Sequence, residues 1–297
     1  MGGGTPVVHY AFGGGLGHLV RARAMKRILA PGERFVVLTS NASTEDLRVV
    51  DGFEVRSPPE VAGNDVDTLR SWLRETLEIL RPHTFSVDAF PAGILGELCG
   101  MVLPNEVHTV HIARLVRWER YAERLRGPLP RYDRILAVEP LGQEQHDALR
   151  PQAGTWEDVD LPMEPVDVDT TLRAMVQGWR AAGRPVWLVV HSGPLGEVRE
   201  LVAWAREHAL MEGLDPLLVV ASPLAEALDD PEVECLDLHP VRGLFPLVDR
   251  LVTAAGWNTM RETRPWRDHH LCLPFPRPLD DQFARRRLAF LGMHPRS

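Results

Sequence analysis

The feature that most constrains the fold is a regular alternation of short apolar runs with longer amphipathic segments, repeated in two series. Residues 7–12 begin the first series, which passes through a glycine-rich turn into a segment with apolar residues at helical spacing up to Leu29. Residues 186–191 begin a second series in the same way. Strands that alternate with helices are typical of βα units around a parallel sheet. The sequence therefore predicts an α/β protein with two Rossmann-like domains that face each other across a cleft.

Between the two series this pattern is lost. Residues 151–169 are rich in proline, glycine, aspartate and glutamate, which favours a linker or a crossing between domains. A chain of 297 residues is long enough for two domains. We therefore place one Rossmann-like domain at residues 1–155 and a second at residues 165–297.

Composition excludes several classes of function. The net charge is −8, whereas proteins that bind nucleic acid usually carry a basic surface, so nucleic acid is not an expected partner. No apolar run approaches the ~18 residues of a transmembrane helix, although peripheral contact with a membrane is compatible with the sequence. Three cysteines without a Cys-x-x-Cys pair favour a reducing cytoplasm. No metal is expected, because the adjacent His269 and His270 would point to opposite sides of a strand.

The first glycine-rich turn, residues 13–17, joins a strand to a helix and precedes His18. Glycines let a ligand approach the backbone, and a helix N-terminus favours negative charge, so Gly15 and Gly17 are candidate ligand contacts. An imidazole in the first turn of this helix is suitably placed to act as a general base on a hydroxyl or on water. An ordinary tight turn with a structural histidine is the alternative. Asp88 follows a later strand and is either a second catalytic group or a helix cap, while Glu97 is expected on a solvated helix face.

The segment from Gly256 to Gln282 is the most informative part of the second series. Gly256, Trp257 and Asn258 form a turn onto a helix N-terminus, whose N–H groups favour phosphate. The carboxylate of Glu262 on that helix suits ribose hydroxyls, and the polar pair Asp281 and Gln282 suits a sugar. An earlier turn contains Ser192 and Gly193, which also offer a hydroxyl and close approach to an anion. Many ordinary βα turns contain Ser-Gly, so this earlier turn is a weaker signal.

These motifs resemble those of GT-B fold glycosyltransferases, most closely the group that includes the lipid-linked N-acetylglucosamine transferase of peptidoglycan synthesis. In the N-terminal half the similar residues are Gly14-Gly15-Leu16-Gly17-His18, Arg21 and Ala24. In the C-terminal half they are residues 247–256, Glu262, Pro274, Asp281 and Gln282. The sequence departs from the family pattern at residues 267–269, where Gly-x-Pro is usual, and at Arg285-Arg286, where Asn-Ala often occurs.

The resemblance implies that the protein transfers a hexosyl group from a UDP-sugar to an unknown acceptor and requires no cofactor. It implies that Glu262 binds the ribose and that Asp281 and Gln282 bind the donor sugar. The remaining implied contacts are Gly256, Trp257, Asn258, Ser192 and Gly193 for the diphosphate, and the backbone around Leu238 and Val241 for the nucleobase. Metal-independent transfer also needs positive charge beside the leaving diphosphate, and Arg242 is the candidate for it. His18 would face the acceptor hydroxyl, so that residues 1–155 would be the acceptor-side domain and residues 165–297 the nucleotide-sugar-binding domain. A nucleotide-sugar hydrolase or epimerase of the same fold, and a non-catalytic nucleotide-sugar-binding protein, remain as alternatives.

Overall fold

The computed structural model of the protein describes residues 4–13, 16–40, 52–59, 65–163, 168 and 170–290. The contacts within the chain divide it into two compact units. The N-terminal unit contains the described residues up to Pro162 together with Pro278–Asp281. The C-terminal unit contains Met163–Arg277 and residues 282–290.

The N-terminal unit is built on a parallel β-sheet. Its described strands are β1 (Val7–Tyr10), β2 (Phe35–Leu38), β3 (Glu54–Arg56), β4 (Thr84–Ala89), β5 (His108–Ala113), β6 (Tyr132–Ala137) and β7 (Ala153–Asp158). Its described helices are α1 (Leu16–Leu29), α2 (Val66–Leu80), α3 (Trp118–Ala122) and α4 (Gln143–Leu149). The strands lie in the order β3-β2-β1-β4-β5-β6-β7, so successive strands are added first on one side of β1 and then on the other.

Buried apolar residues explain why these segments form strands and helices. Strand β2 is the continuous apolar run Phe-Val-Val-Leu and is buried throughout, as is usual for parallel strands with both faces covered. On α2, Leu69, Leu73 and Leu77 recur at four-residue spacing and pack into the core of the unit. Helix α2 begins where the Asp65 carboxylate accepts a hydrogen bond from the Thr68 backbone N–H at 2.8 Å.

Part of the segment predicted to be a linker, residues 151–169, is a strand, β7. Its residues pair in parallel with β6, from Tyr132 opposite Ala153 to Ala137 opposite Asp158. The strand lies at the edge of the sheet, and its residues are half-buried or exposed, so it lacks the apolar pattern that identifies a buried strand. Backbone pairing with β6, which local sequence does not reveal, makes this segment a strand.

The C-terminal unit repeats the same architecture on a smaller scale. Its described strands are β8 (Val186–Val190), β9 (Leu217–Ala221), β10 (Val233–Leu236), β11 (Arg250–Ala254) and β12 (His270–Leu273). Its described α-helices are α5 (Thr170–Arg180), α6 (Leu195–Glu212), α7 (Trp257–Glu262) and α8 (Gln282–Phe290). The strands are parallel and lie in the order β10-β9-β8-β11-β12. Residues Val241–Leu247 form a 3₁₀ helix that contains Pro246, which has no N–H to donate within a helix.

Both sheets contain a point where the direction of strand addition reverses. In the N-terminal unit this switch point lies between β1 and β4, and in the C-terminal unit it lies between β8 and β11. Ligands of open α/β sheets bind outside the carboxyl ends of the strands at such points. The turns after these four strands are therefore where a functional site is expected in each unit.

The predicted α/β fold class with two Rossmann-like units is confirmed by these two parallel sheets and their helices. Within the described residues, we find no helix that combines the length and the apolar composition needed to cross a membrane.

Candidate functional site

A buried polar cluster joins His18, Arg21 and Asp88 at the switch point of the N-terminal unit. His18 and Arg21 lie one turn apart on α1, and Asp88 lies near the end of β4, 70 positions from His18. The His18 Nδ1 is 2.6 Å from Asp88 Oδ2. Arg21 binds the same carboxylate through Nε, 2.9 Å from Oδ1, and through Nη2, 2.7 Å from Oδ2. The structure thus brings together the two catalytic candidates and adds a cation to which the sequence assigned no role.

The partners of His18 determine which ring nitrogen is available. Its Nδ1 faces the carboxylate of Asp88, so Nδ1 carries the proton and donates it, and Nε2 keeps the lone pair. Arg21 Nη2 lies 3.1 Å from Nδ1, which is a close approach of two donors that share one acceptor. Nε2 faces the backbone of Gly13, where the Cβ of any larger residue would lie 2.5 Å away. The base atom of the cluster is therefore Nε2, beside the glycine turn.

The charges around the cluster favour a neutral imidazole beside an ionised carboxylate. Burial by itself would raise the pKa of Asp88, but the Arg21 guanidinium and His18 outweigh it and hold that pKa well below its usual range. Burial lowers the pKa of His18; the Asp88 carboxylate opposes this shift, while Arg21 and Arg114 add to it. Asp88 thus remains a carboxylate, and His18 is available as a base at neutral pH.

A second buried histidine, His9 of β1, lies beside this cluster. Its Nδ1 is 2.7 Å from the hydroxyl of Ser86, which precedes Asp88 by two positions and lies on the same face of β4. Its Nε2 is buried without a hydrogen-bond partner, and burial lowers the pKa of His9 to about 4. His9 belongs to none of the motifs singled out in the sequence, although a histidine inside an apolar strand is visible there.

A second polar group in the N-terminal unit surrounds Arg114, after β5. Arg114 Nη1 donates to Asp280 at 2.8 Å, and Gln145 donates to the Arg114 carbonyl oxygen at 2.8 Å. The backbone at Val116 forms an antiparallel bridge with Asp280, and the Arg117 N–H donates to the Leu279 carbonyl oxygen at 2.7 Å. These contacts hold the segment Pro278–Asp281, which includes the predicted sugar contact Asp281.

Glu97 is not on a solvated helix face, and the segment that follows Asp88 is not a helix. Residues 91–100 form a series of turns, so Asp88 has no helix to cap there. Glu97 is fully buried, and its carboxylate accepts from the Ile94 and Leu95 N–H groups at 3.2 and 2.8 Å and from the Tyr10 hydroxyl. This prediction was wrong because a carboxylate that folds back onto its own turn satisfies its acceptors without solvent.

Gly17 lies in the first turn of α1 and is half-buried. Gly15, the other predicted contact in this turn, lies outside the described residues.

At the switch point of the C-terminal unit, the two predicted diphosphate turns follow β8 and β11, which are neighbouring strands. Ser192 is exposed and Gly193 half-buried in the turn before α6. Gly256 is the N-cap residue of α7 and makes no side-chain capping hydrogen bond. The Trp257 side chain is buried, with Arg261 over its ring at 5.3 Å, so Trp257 offers a ligand its backbone only.

The remaining predicted donor contacts lie in the same unit, except Asp281. Glu262 ends α7 and is half-buried, as are Asn258 and Arg242. Leu238 and Val241 pack against the apolar cluster beneath the 3₁₀ helix. Gln282 is buried, and its side-chain oxygen accepts from the Phe275 N–H at 3.0 Å, so this oxygen supports the chain after β12.

The two departures from the family pattern place arginines beneath the Gly256 turn. Arg285 of α8 is buried and donates to the Ala255 carbonyl oxygen at 3.0 Å. Arg267 donates to the Met260 carbonyl oxygen at 2.7 Å and lies 2.7 Å from His270 Nδ1. The other nitrogen of His270 is 2.7 Å from the Thr253 hydroxyl, so both its nitrogens have protein partners. Across the described ranges, no three His, Cys, Asp or Glu side chains converge in a way that suits a metal ion.

Comparison with known proteins shows which fold this chain shares with solved structures. No protein-family model and no curated protein matches the sequence. The structure is similar to spinosyn rhamnosyltransferase SpnG complexed with spinosyn aglycone, with a TM-score of 0.63 and 17% identity over 96% of this chain and 84% of that one. It is also similar to MurG of Acinetobacter baumannii, with a TM-score of 0.54 and 13% identity over 97% and 83% of the two chains.

A further likeness is to an enzyme of different activity. UDP-GlcNAc 2-epimerase from Neisseria meningitidis bound to UDP-GlcNAc matches with a TM-score of 0.56 and 12% identity, over 96% of this chain and 85% of that one. Sequence identities this low carry information on the fold only. Together the likenesses show that this chain has the GT-B fold.

Proposed function

We propose that the protein transfers a sugar from a nucleotide-sugar donor, a UDP-sugar, to a hydroxyl group of an acceptor. The observation that carries this proposal is the His18–Asp88 pair at the N-terminal switch point, with the lone pair of Nε2 beside the Gly13 backbone. Ligands of open α/β sheets bind at this edge of the sheet, so a base located there lies within reach of a bound hydroxyl. The likeness to an epimerase whose structure holds UDP-GlcNAc supports a nucleotide-sugar as the donor.

In this proposal His18 Nε2 accepts the proton of the acceptor hydroxyl while the hydroxyl oxygen forms a bond to the anomeric carbon of the donor. The bond from that carbon to the diphosphate oxygen breaks, and the nucleoside diphosphate leaves with the electron pair. Asp88 orients the ring through Nδ1 and stabilises the imidazolium that forms. A positioned general base contributes roughly 10²- to 10⁴-fold to a rate.

The C-terminal unit binds the donor in this proposal. The backbone at Gly256, Trp257 and Asn258, with the turn at Ser192 and Gly193, receives the diphosphate, because the N-terminus of a helix favours anions. Arg242 adds a cation for the leaving group. Glu262 accepts from the ribose hydroxyls, the backbone near Leu238 and Val241 contacts the nucleobase, and Asp281 and Gln282 contact the donor sugar.

The first test is binding, because it requires no knowledge of the acceptor. The protein is screened by thermal shift against UDP, TDP and their sugar esters. At least one of these compounds is expected to raise the melting midpoint of the protein, because a ligand that binds the folded state stabilises that state. Turnover is then followed as release of the nucleoside diphosphate in pools of candidate hydroxyl acceptors.

The role of the base is tested with His18→Gln and the matched control His83→Gln. His83 is an exposed histidine of the same unit that binds Glu33 at 2.9 Å, away from the polar cluster. His18→Gln is expected to lower turnover by about 10²- to 10⁴-fold with donor affinity within a few-fold, and His83→Gln to change neither. An equal loss of binding and turnover in His18→Gln would contradict the base assignment.

Hydrolysis or epimerisation of the donor is the second candidate, favoured by the likeness to UDP-GlcNAc 2-epimerase. The same Nε2 would then activate water or move a proton on the sugar. Release of free sugar, or its epimer, from a UDP-sugar incubated without any acceptor would establish this activity in place of transfer. Donor binding without turnover under all these conditions would indicate a non-catalytic binding protein.

A further inference from the structure

We propose that His191 and Arg277, both bound to Glu197, form an anion subsite that binds the diphosphate of the donor and takes up a proton as it does so. This inference rests on the proposed function, which supplies the nucleotide diphosphate, and it adds two side chains to which the sequence analysis gave no role.

The three side chains form one connected cluster in the C-terminal unit. His191 Nε2 is 2.7 Å from Glu197 Oε2. Arg277 reaches both oxygens of the same carboxylate, Nη1 at 2.5 Å and Nη2 at 2.5 Å. Phe275 stacks on the His191 ring, with centroids 5.5 Å apart and an angle of 28° between the planes, and Arg277 lies 5.8 Å from the Phe275 ring. Glu197 therefore holds the imidazole and the guanidinium at fixed positions, which is the geometry that a preorganised anion site needs.

The cluster lies where the fold places a diphosphate. His191 is the first residue after β8, and its backbone N–H continues the sheet by donating to the Ala221 carbonyl oxygen at 3.2 Å. The turn that follows contains Ser192 and Gly193, and a Cβ at Gly193 would overlap His191 Nε2 and press on Glu197. This close approach means that any anion on the turn also lies close to the cluster. The position at the switch point between β8 and β11 makes the same turn the expected binding edge of the sheet.

The charge of the cluster decides whether a diphosphate is accepted. Glu197 alone would repel a phosphate at the Gly193 turn, but Arg277 pairs with it at both oxygens and cancels its charge. With a neutral His191 the three side chains sum to zero, and with a protonated His191 they carry one net positive charge. A diphosphate therefore favours the protonated imidazole, in the way that any opposite charge within a few ångströms does.

The environment of His191 favours the neutral form of its imidazole when no anion is bound. Burial lowers the pKa of His191, the Glu197 carboxylate opposes that shift, and Arg277 adds to it. The charged groups that face the ring are Glu197 from α6 and Arg277 from the segment after β12. Because the bound diphosphate raises the pKa of His191, binding is linked to uptake of a proton and tightens as the pH falls through the range between the free and bound pKa values.

The test measures the affinity of UDP-glucose and UDP-N-acetylglucosamine for the full chain by calorimetry between about pH 5.5 and pH 8, where the diphosphate ester itself does not titrate. The wild-type Kd is expected to fall by roughly 10-fold from pH 8 to pH 6. Comparison of the binding enthalpy in buffers of different ionisation heat is expected to show uptake of up to one proton. His191→Gln is expected to weaken binding by about 10-fold at pH 6 and to show less than about twofold dependence on pH.

The matched control is His208→Gln, on the same helix as Glu197. His208 Nδ1 bonds to the Trp204 carbonyl oxygen of its own helix turn, so this variant removes a histidine of α6 without touching the cluster. It is expected to bind UDP-sugars like the wild type at every pH.

The outcomes separate this inference from the proposed function. If the wild type binds no nucleotide diphosphate, the proposed function fails, and the subsite fails with it. If it binds but His191→Gln retains both affinity and pH dependence, the donor assignment stands and the subsite is wrong. If His191→Gln does not fold, absence of proton uptake by the wild type on binding overturns the proposal equally.

Discussion

Arg21→Gln removes the cation that lies against both members of the proposed catalytic pair. In the wild type the Arg21 guanidinium binds Asp88 at 2.7 and 2.9 Å and lies 3.1 Å from His18 Nδ1. It thereby neutralises part of the carboxylate that would otherwise stabilise a protonated His18, and it repels the imidazolium directly. The variant is expected to raise the pKa of His18.

The size of the shift follows from the distances. Two unit charges at about 4 Å and an effective dielectric constant near 20 interact by roughly 4 kcal/mol, an upper bound for this contact because Asp88 offsets part of the arginine charge. A shift of about 1–2 pKa units is therefore expected, on the order of 1.4–2.7 kcal/mol. His18 has a lowered pKa in the wild type, so the deprotonated base is present at neutral pH. In Arg21→Gln the base stays protonated up to a higher pH than in the wild type, so the acid limb of the turnover profile moves to higher pH.

The shift is measured by NMR titration of the histidine ring nitrogens, which needs no acceptor. The chain has 12 histidines, and the His18 signals are those missing from His18→Gln. Once an acceptor is known, the acid limb of the pH–rate profile provides a second measurement. Arg21→Lys is the control, because it retains the charge while losing the paired contact, and its titration is expected to stay near that of the wild type.

Stability has to be checked in the same variants. Removing one partner of a buried ion pair costs about 3–5 kcal/mol, a large part of the roughly 5–15 kcal/mol that stabilises an ordinary domain. The titration is therefore interpreted only for variants with a cooperative melting transition. An unchanged or lower pKa of His18 in folded Arg21→Gln would refute the electrostatic role of Arg21.

Three other predictions test separate parts of the structure. Glu262→Ala is expected to weaken UDP binding by ~1–3 kcal/mol, which is the scale of charged hydrogen bonds. Calorimetry compares this variant with Glu200→Ala, a change at an exposed glutamate, and equal affinities of the two variants for UDP would rule out the ribose contact. Gly13→Ala, whose Cβ would lie 2.5 Å from His18 Nε2, is expected to abolish turnover while donor affinity stays within a few-fold, and full activity would show that Nε2 is not the base atom. Burial lowers the pKa of His111 from 6.5 to about 4, so its contribution to stability is complete above pH 6.5 and is lost as the pH falls towards 4. Urea unfolding is therefore expected to show a shallower loss of stability on acidification in His111→Phe, and equal slopes would contradict this.

The sequence predicted most of the fold because the elements that form it have strong local patterns. The apolar run of β2 and the four-residue leucine spacing of α2 each identify their element without any partner. Strand β7 was missed because its pairing with β6 is a contact across the sheet and its own residues are polar and at the edge. Glu97 was misplaced for a related reason, because one of the donors that satisfy its buried carboxylate, the Tyr10 hydroxyl, lies 87 positions away.

For the site, residue types were predictable and their combinations were not. His18 and Asp88 were each singled out from their positions next to a strand or a helix, but their contact exists because β4 lies beside β1. Arg21 had a local signal, three residues after His18 on the same face of α1. The Glu197 partner Arg277 lies 80 positions further along the chain, and no spacing rule connects the two.

By itself, then, the sequence determined most of the order of strands and helices, the glycine turns and the side chains present at the strand ends, because these depend on neighbours a few residues apart. Only the tertiary structure decided which groups share a carboxylate, which nitrogen of His18 is available and which histidines are buried. Those properties depend on the strand order of each sheet and on the exclusion of water around the paired side chains. Both arise from contacts between residues that are far apart in the chain.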